Sequence, residues 1–174
     1  ASDFSIWYSS QGMANPTDWQ RITRTTALTD KTRSADDNYM NLDLVCRHVS
    51  LQINARNSTD IGISEIEVLS LNQANIALNK GVVVSSFYDD SAGSGNIYVG
   101  EYAVDGDNST LWASEPGNTN DLNKTPYIYV DLGVKQTVNG IGLNFYDIYY
   151  PTLYGIFYSD NGVDWTPMVK AVNK

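Results

Sequence analysis

The stretch Tyr154-Gly155-Ile156-Phe157-Tyr158-Ser159-Asp160-Asn161-Gly162, followed by Asp164-Trp165, decides the fold class. It reads as a strand of β-branched and aromatic residues, a polar turn ending in glycine, and a tryptophan opening a second strand. The same pattern stands near the start of the chain as Phe4-Ser5-Ile6-Trp7-Tyr8-Ser9-Ser10-Gln11-Gly12, then Asp18-Trp19. Strand, glycine and Asp-Trp pair recur in the same order, so the chain carries a duplicated hairpin at residues 4–22 and 154–169.

Working outward, further short runs read as strands: Arg47 to Ile53, Ser64 to Leu71, Gly81 to Phe87, Tyr127 to Leu132 and Asn139 to Tyr146. Turn residues bound each of them. In Ser64-Glu65-Ile66-Glu67-Val68 the apolar and acidic residues alternate, which sends them to opposite faces of a sheet. Thr29 to Met40 reads as a short turn of helix; helical periodicity is weak elsewhere. Many short strands joined by turns predict an all-β fold, an antiparallel β-sandwich or jelly roll.

The chain has 174 residues, enough for one sizeable core. Hydrophobic residues at 42% and charged residues at 18% are globular values, not those of a disordered tail. With 11 Lys+Arg against 20 Asp+Glu, the formal net charge is −9. No basic face is clustered, which excludes nucleic acid as a partner and disfavours polyanionic glycans. No apolar run approaches the roughly 20 residues of a membrane helix. The single cysteine, Cys46, excludes an internal disulfide and reads as a small buried hydrophobe within a strand. The opening Ala1-Ser2-Asp3-Phe4 is what a mature or trimmed product would show.

Four motifs resemble the discoidin, or coagulation factor 5/8 type C, superfamily, and within it family 32 carbohydrate-binding modules most of all. Asn75-Ile76-Ala77-Leu78-Asn79-Lys80 resembles the family's opening strand. Ala103-Val104-Asp105-Gly106-Asp107-Asn108-Ser109-Thr110-Leu111-Trp112 resembles its calcium loop. Tyr127 to Gly133 resembles its Val-Asp-Leu-Gly strand, and Tyr158 to Gly162 with Trp165 its late hairpin. Two closing motifs, Arg47-His48-Val49-Ser50-Leu51 and Ile63-Ser64-Glu65-Ile66-Glu67-Val68, are also present, but ahead of the opening ones. Residues 1–71 therefore resemble the family's closing half and residues 75–174 its opening half. Three arrangements fit this order: a circularly permuted single domain, a segment of a tandem array, or halves paired between chains as a swapped dimer. The first is the expectation here, one closed domain over residues 1–174 with one hairpin copy as an extra.

Asp105, Asp107 and Thr110 lie within six residues with glycine between the acids, a pattern of hard oxygen donors suited to Ca²⁺. The resemblance adds the carbonyl of Tyr102 and, from the closing strand, Ser64 and Glu65. The expected role of such an ion is structural. It would tie the Glu65 segment to the Asp105 loop, and so join the two halves that the chain order separates.

A sugar site needs an aromatic face for the ring's C–H surface and a few fixed polar partners. Tyr149 and Tyr150 precede Pro151 in a turn and are candidates, as is Tyr88. Asp147, Ser114 and Glu115 fall near positions where the resembling modules place polar contacts. Arg56 and Asn57 lie on the last loop before a closing strand. The partner implied is a neutral glycan or polysaccharide, bound by a secreted, extracellular, lectin-like module. Adhesion to protein or phospholipid is the alternative class. An ancillary domain of a secreted glycoside hydrolase or lyase is another. Membrane binding ranks lower because the loops are tyrosine-rich and acidic.

Catalysis is not expected. The only histidine, His48, sits inside a strand and reads as structural. Asp89-Asp90 and Glu65/Glu67 are paired carboxylates of the kind that more often serve as surface or metal groups. Trp19, Trp112 and Trp165 match core positions of the resembling family, with Trp7 in a neighbouring strand slot. Asn57, Asn108 and Asn123 begin triplets of the N-glycosylation type.

Overall fold

The computed structural model describes residues 5–9, 19–23, 36–56, 58–117 and 125–168. Its strands are β1 (Ser5–Ser9), β2 (Trp19–Thr23), β3 (Asp36–Arg56), β4 (Gly62–Leu69), β5 (Gly81–Val84) and β6 (Tyr88–Asp90). They continue with β7 (Asn96–Tyr98), β8 (Trp112–Ala113), β9 (Tyr127–Phe145), β10 (Pro151–Ser159) and β11 (Thr166–Pro167). A short 3₁₀ helix, Gly100–Ala103, precedes β8. No helix among the described residues is long and apolar enough to cross a membrane.

The fold is an all-β sandwich of antiparallel strands. The main ladder runs β11-β10-β3-β9-β4-β8, with β5 also on β9. Two of its strands are long because each serves both layers. Residues 127–131 of β9 pair with residues 48–52 of β3 and with β5, whereas residues 140–145 pair with residues 36–40 of β3 and with β4. Between these stretches the β3–β9 register shifts twice: between Met40 and Leu44, where Asn41 and Asp43 are left-handed with φ of 58° and 50°, and between Cys46 and His48. Bulges of this kind bend a strand from one sheet into the next. A side-chain bond spans the layers, Tyr39 Oη to Tyr154 Oη at 2.6 Å.

Alternation explains the core. Val49, Leu51 and Ile53 of β3 and Ile128, Val130 and Leu132 of β9 point inward from one layer. Ile66, Val68, Ile141 and Leu143 meet them from the other. One buried cluster thus draws on residues both before Leu71 and after Asn75. Trp112 is fully buried, and its indole N–H donates to Ser86 O at 2.9 Å, which satisfies its one polar atom. Cys46 is buried, and burial, with the Asp160 charge, pushes its thiol up to about 11.

Three expectations change. Asp36 to Met40 is strand, not helix, because it pairs with Asn144 to Gly140; residues 29–35 lie outside the described residues. The two strands expected at Tyr127 to Leu132 and Asn139 to Tyr146 are one bent strand. Trp165 is half-buried rather than core, its ring near His48 and Tyr129. The side chains of Trp7 and Trp19 lie outside the described residues. His48 is buried in β3 with Nε2 3.5 Å from Asp131 Oδ1, a structural setting.

The two hairpins pair in corresponding registers. In β10–β11, Phe157 opposes Pro167 and Tyr158 opposes Thr166. In β1–β2, Trp7 opposes Arg21 and Tyr8 opposes Gln20, the same positions of the repeat.

Candidate metal loop and binding end

The segment from Gly100 to Thr110 packs against β4 and β5. Buried Ala103 and Val104 anchor it, after which the chain turns through Asp105-Gly106-Asp107. Gly106 has φ +81°, a conformation that glycine adopts without Cβ strain. Asp105 Oδ1 accepts from the Asp107 N–H at 2.8 Å, and Asp107 Oδ1 accepts from the Ser109 N–H and hydroxyl at 2.9 and 2.6 Å. The Thr110 hydroxyl lies 2.8 Å from Asp105 Oδ2, 2.8 Å from Asp107 O and 3.5 Å from Tyr102 O. Three acceptor oxygens thus converge on a hydroxyl that has one proton to donate.

Glu65 closes this loop from β4. It shares a face with exposed Glu67, as alternation demands, yet is only 6% exposed because the loop covers it. The cover is held by the Gly106 N–H donating to Glu65 Oε2 at 3.1 Å and by Asn144 Nδ2 donating to Asn108 Oδ1 at 2.7 Å. Glu65 Oε1 is buried with no hydrogen-bond partner. Burial pushes the Glu65 carboxyl up to about 7; the Gly106 bond opposes this, and the Asp105, Glu67 and Asp107 charges add to it. Ser64 is buried at the register shift between Ile63 and Glu65.

Among the described residues no three His, Cys, Asp or Glu side chains form a group able to hold an ion by themselves. The donor set fits a cation only if carbonyl and hydroxyl oxygens join the carboxylates, a mixture that suits Ca²⁺. The orphaned Glu65 oxygen beside the loop is consistent with that fit.

At one end of the sandwich, loops from distant parts of the chain are laced together. Gly117 N–H donates to Thr59 O at 2.9 Å and Ser114 N–H to Ile61 O at 3.0 Å. Glu115 N–H donates to Ser86 Oγ at 3.1 Å. Gly62 N–H donates to Tyr149 O at 2.7 Å, and Tyr146 N–H to Gly62 O at 2.9 Å. Pro151, next to Tyr150, opposes Arg56 in the β3–β10 ladder. Arg56 Nη2 donates to Gly117 O at 3.3 Å, while Arg56 Nη1 and Asn54 Nδ2 are buried without a partner.

The expected sugar residues therefore divide. Arg56, Glu115, Asp147, Tyr149 and Tyr150 gather at this end, with Glu115, Asp147 and Tyr150 exposed. Tyr88 stacks on Tyr98, rings 5.8 Å apart and 5° from parallel, on the adjoining β6–β7 hairpin. The charge of Asp90, and less strongly that of Asp60, pushes its phenol up, which puts Asp60 within electrostatic reach. Ser114 differs: it is fully buried and its hydroxyl accepts from the Ile61 N–H at 3.2 Å, so it braces the loops from behind. Asn57 lies outside the described residues.

Two participants were not singled out from sequence. Tyr146 is exposed, its ring 5.9 Å from Tyr149. Gly62 makes room for it: a Cβ there would sit 2.7 Å from Tyr146 Cβ. The only sequence signal was that Tyr146 opens the tyrosine-bearing loop. Exposed Phe87, Ile97 and Ile148 flank the same end.

Backbone bonds thus join the loops of the jelly roll into one exposed, tyrosine-bearing end. The F5/8 type C domain model matches residues 83–174, over half of the chain, and the chain belongs to that family. Domains of this family commonly bind carbohydrate or phospholipid, are typically non-catalytic, and occur mostly in extracellular or secreted proteins. No curated protein matches the chain.

Proposed function

We propose that this protein is a non-catalytic, extracellular glycan-binding module for neutral sugars. In this reading it is one closed, permuted domain stabilised by a structural calcium ion. The observation that carries it is the Arg56 strap. Its guanidinium holds Gly117 O with one nitrogen and keeps another buried and unpartnered, beside the loop that bears Tyr146, Tyr149 and Tyr150. Tyrosine faces pack on the C–H surface of a pyranose, and fixed polar groups select its hydroxyls. Arg56, Glu115 and Asp147 are the polar groups assigned that role, with Tyr88 at the rim. Tyr102, Asp105, Asp107, Thr110, Ser64 and Glu65 would hold the calcium ion, which would supply charge neutralisation and cross-linking rather than chemistry.

A glycan array followed by calorimetry tests this reading. Affinity weakened about tenfold in both Tyr150→Ala and Arg56→Ala, with thermal stability kept in the exposed Tyr150 variant, supports it. Turnover of a chromogenic glycoside, or no glycan bound at millimolar concentration, refutes it. The exposure of Ile148, 51%, together with Phe87 and Ile97, favours phospholipid as the second reading. Co-sedimentation with vesicles in the absence of any glycan binding would establish that one instead.

A further inference from the structure

The chain carries one hairpin twice and a single strand on which it docks. Aligning Phe4 to Ser9 with Tyr154 to Ser159, and Asp18-Trp19 with Asp164-Trp165, superimposes the two pairing registers residue for residue. A slip of one position would have turned every side chain to the wrong face, so this agreement goes beyond composition. The outer edge of β10 is spent on β3, with Tyr158 opposite Val49 and Phe157 opposite Ser50. The corresponding edge of β1 pairs with no strand among the described residues, and β1 lies beside β10.

We propose that β1–β2 is an alternative occupant of the β3 edge held by β10–β11, exchanging with it inside the same chain and placing Tyr8 opposite Val49 and Trp7 opposite Ser50. The residue types that seat β10 recur in the sequence of the copy. The Ser159 hydroxyl accepts from the Asn161 and Gly162 N–H groups at 3.3 and 3.0 Å; Ser9, Gln11 and Gly12 are their counterparts. Gly162 has φ +73°, and a Cβ there would stand 3.5 Å from the His48 ring, so glycine fits both the turn and the close approach; in sequence Gly12 is its counterpart. Trp165 packs against His48 and Tyr129, and Trp19 is its counterpart. The copies differ where β10 is tightest. Trp7 replaces Phe157, which is buried, and Ser5 replaces Gly155, where a Cβ would meet the Phe157 ring at 2.8 Å. Those two replacements make β1–β2 the minor occupant. Because β10 starts at Pro151 against Arg56, its departure also frees the Pro151 end of the tyrosine loop, which Gly62 still holds through Tyr146 and Tyr149.

Disulfide trapping in the full chain, in a Cys46→Ala background, tests the exchange. Directly opposed residues of an antiparallel pair are close enough to bridge. Ser50→Cys with Phe157→Cys is expected to close in most molecules. Ser50→Cys with Trp7→Cys is expected to close in roughly a tenth or fewer, as a minor state would. Adding Gly155→Pro, which breaks the β10 ladder, should raise that second, intramolecular bridge severalfold. If that variant does not fold, Trp165→Ala is read in its place and should raise the bridge in the same direction. No rise in the Trp7–Ser50 bridge, or a bridge found only in linked dimers, overturns the proposal.

Discussion

Replacing Glu65 by glutamine should raise stability without calcium and lower it with calcium. The carboxyl sits at about 7 in the folded chain against an ordinary 4.5. Between those values the folded state keeps a proton that the unfolded chain has lost. Stability therefore falls as pH rises through that window and levels off above it. Above pH 7 the penalty on a calcium-free domain is about 3 kcal/mol, at 1.36 kcal/mol per unit. Glutamine removes it and still accepts from the Gly106 N–H. Its amide group, placed where Oε1 now has no partner, costs about 1–2 kcal/mol in return. The net gain in EDTA at pH 8 is about 1–2 kcal/mol, or roughly 2–8 °C in Tm for a chain of this size. At pH 4 the gain vanishes and only the amide cost remains. With calcium at a hundred times its dissociation constant, the parent gains about 2.7 kcal/mol, and the neutral variant loses most of that gain. Thermal unfolding at pH 4 and pH 8, each with EDTA and with calcium, measures all four cells. Equal Tm changes from calcium in both proteins, or a variant less stable than the parent in EDTA at both pH values, would refute the reasoning.

Gly62→Ala forces a methyl within 2.7 Å of Tyr146 Cβ, an atom close to the backbone. A loss of about 1–3 kcal/mol in urea unfolding is expected, with weaker glycan binding by calorimetry as the 146–150 loop shifts. Tyr150→Ala and Arg56→Ala should each weaken glycan affinity by about tenfold, which is 1.4 kcal/mol, with Tm shifts that stay small for exposed Tyr150. Arg47 forks onto Asp131 at 2.8 Å through both nitrogens and, with the Gly133 N–H, holds that carboxyl well below the usual carboxylate range. The stability it confers is present above about pH 4 and is lost as pH falls further. Asp131→Asn should therefore flatten the acid limb of a pH–stability profile, and an unchanged limb would count against the pairing.

The hairpin pattern, the strand runs at Arg47 to Ile53 and Tyr127 to Leu132, and the Asp105-Gly106-Asp107 turn were all legible in the chain, because each is a local pattern with a fixed period or spacing. Alternation also put Glu65 and Glu67 on one face. It reports direction and not cover, so the burial of Glu65 under the Gly106 turn came only from the tertiary structure. Ser114 has the same history: a polar residue near a loop, buried because Ile61 passes behind it. Asp36 to Met40 became strand because a free edge of β9 lies beside it, and local preference had no access to that distant partner. The gathering of Arg56, Tyr88, Glu115 and the 146–150 loop at one end was decided by the same long-range ladders. Sequence by itself determined most of the strands and turns this protein makes; pairing between remote segments decided that Asp36 to Met40 joins the sheet and that β9 is one bent strand, which side chains the strands bury, and which they bring to a common surface.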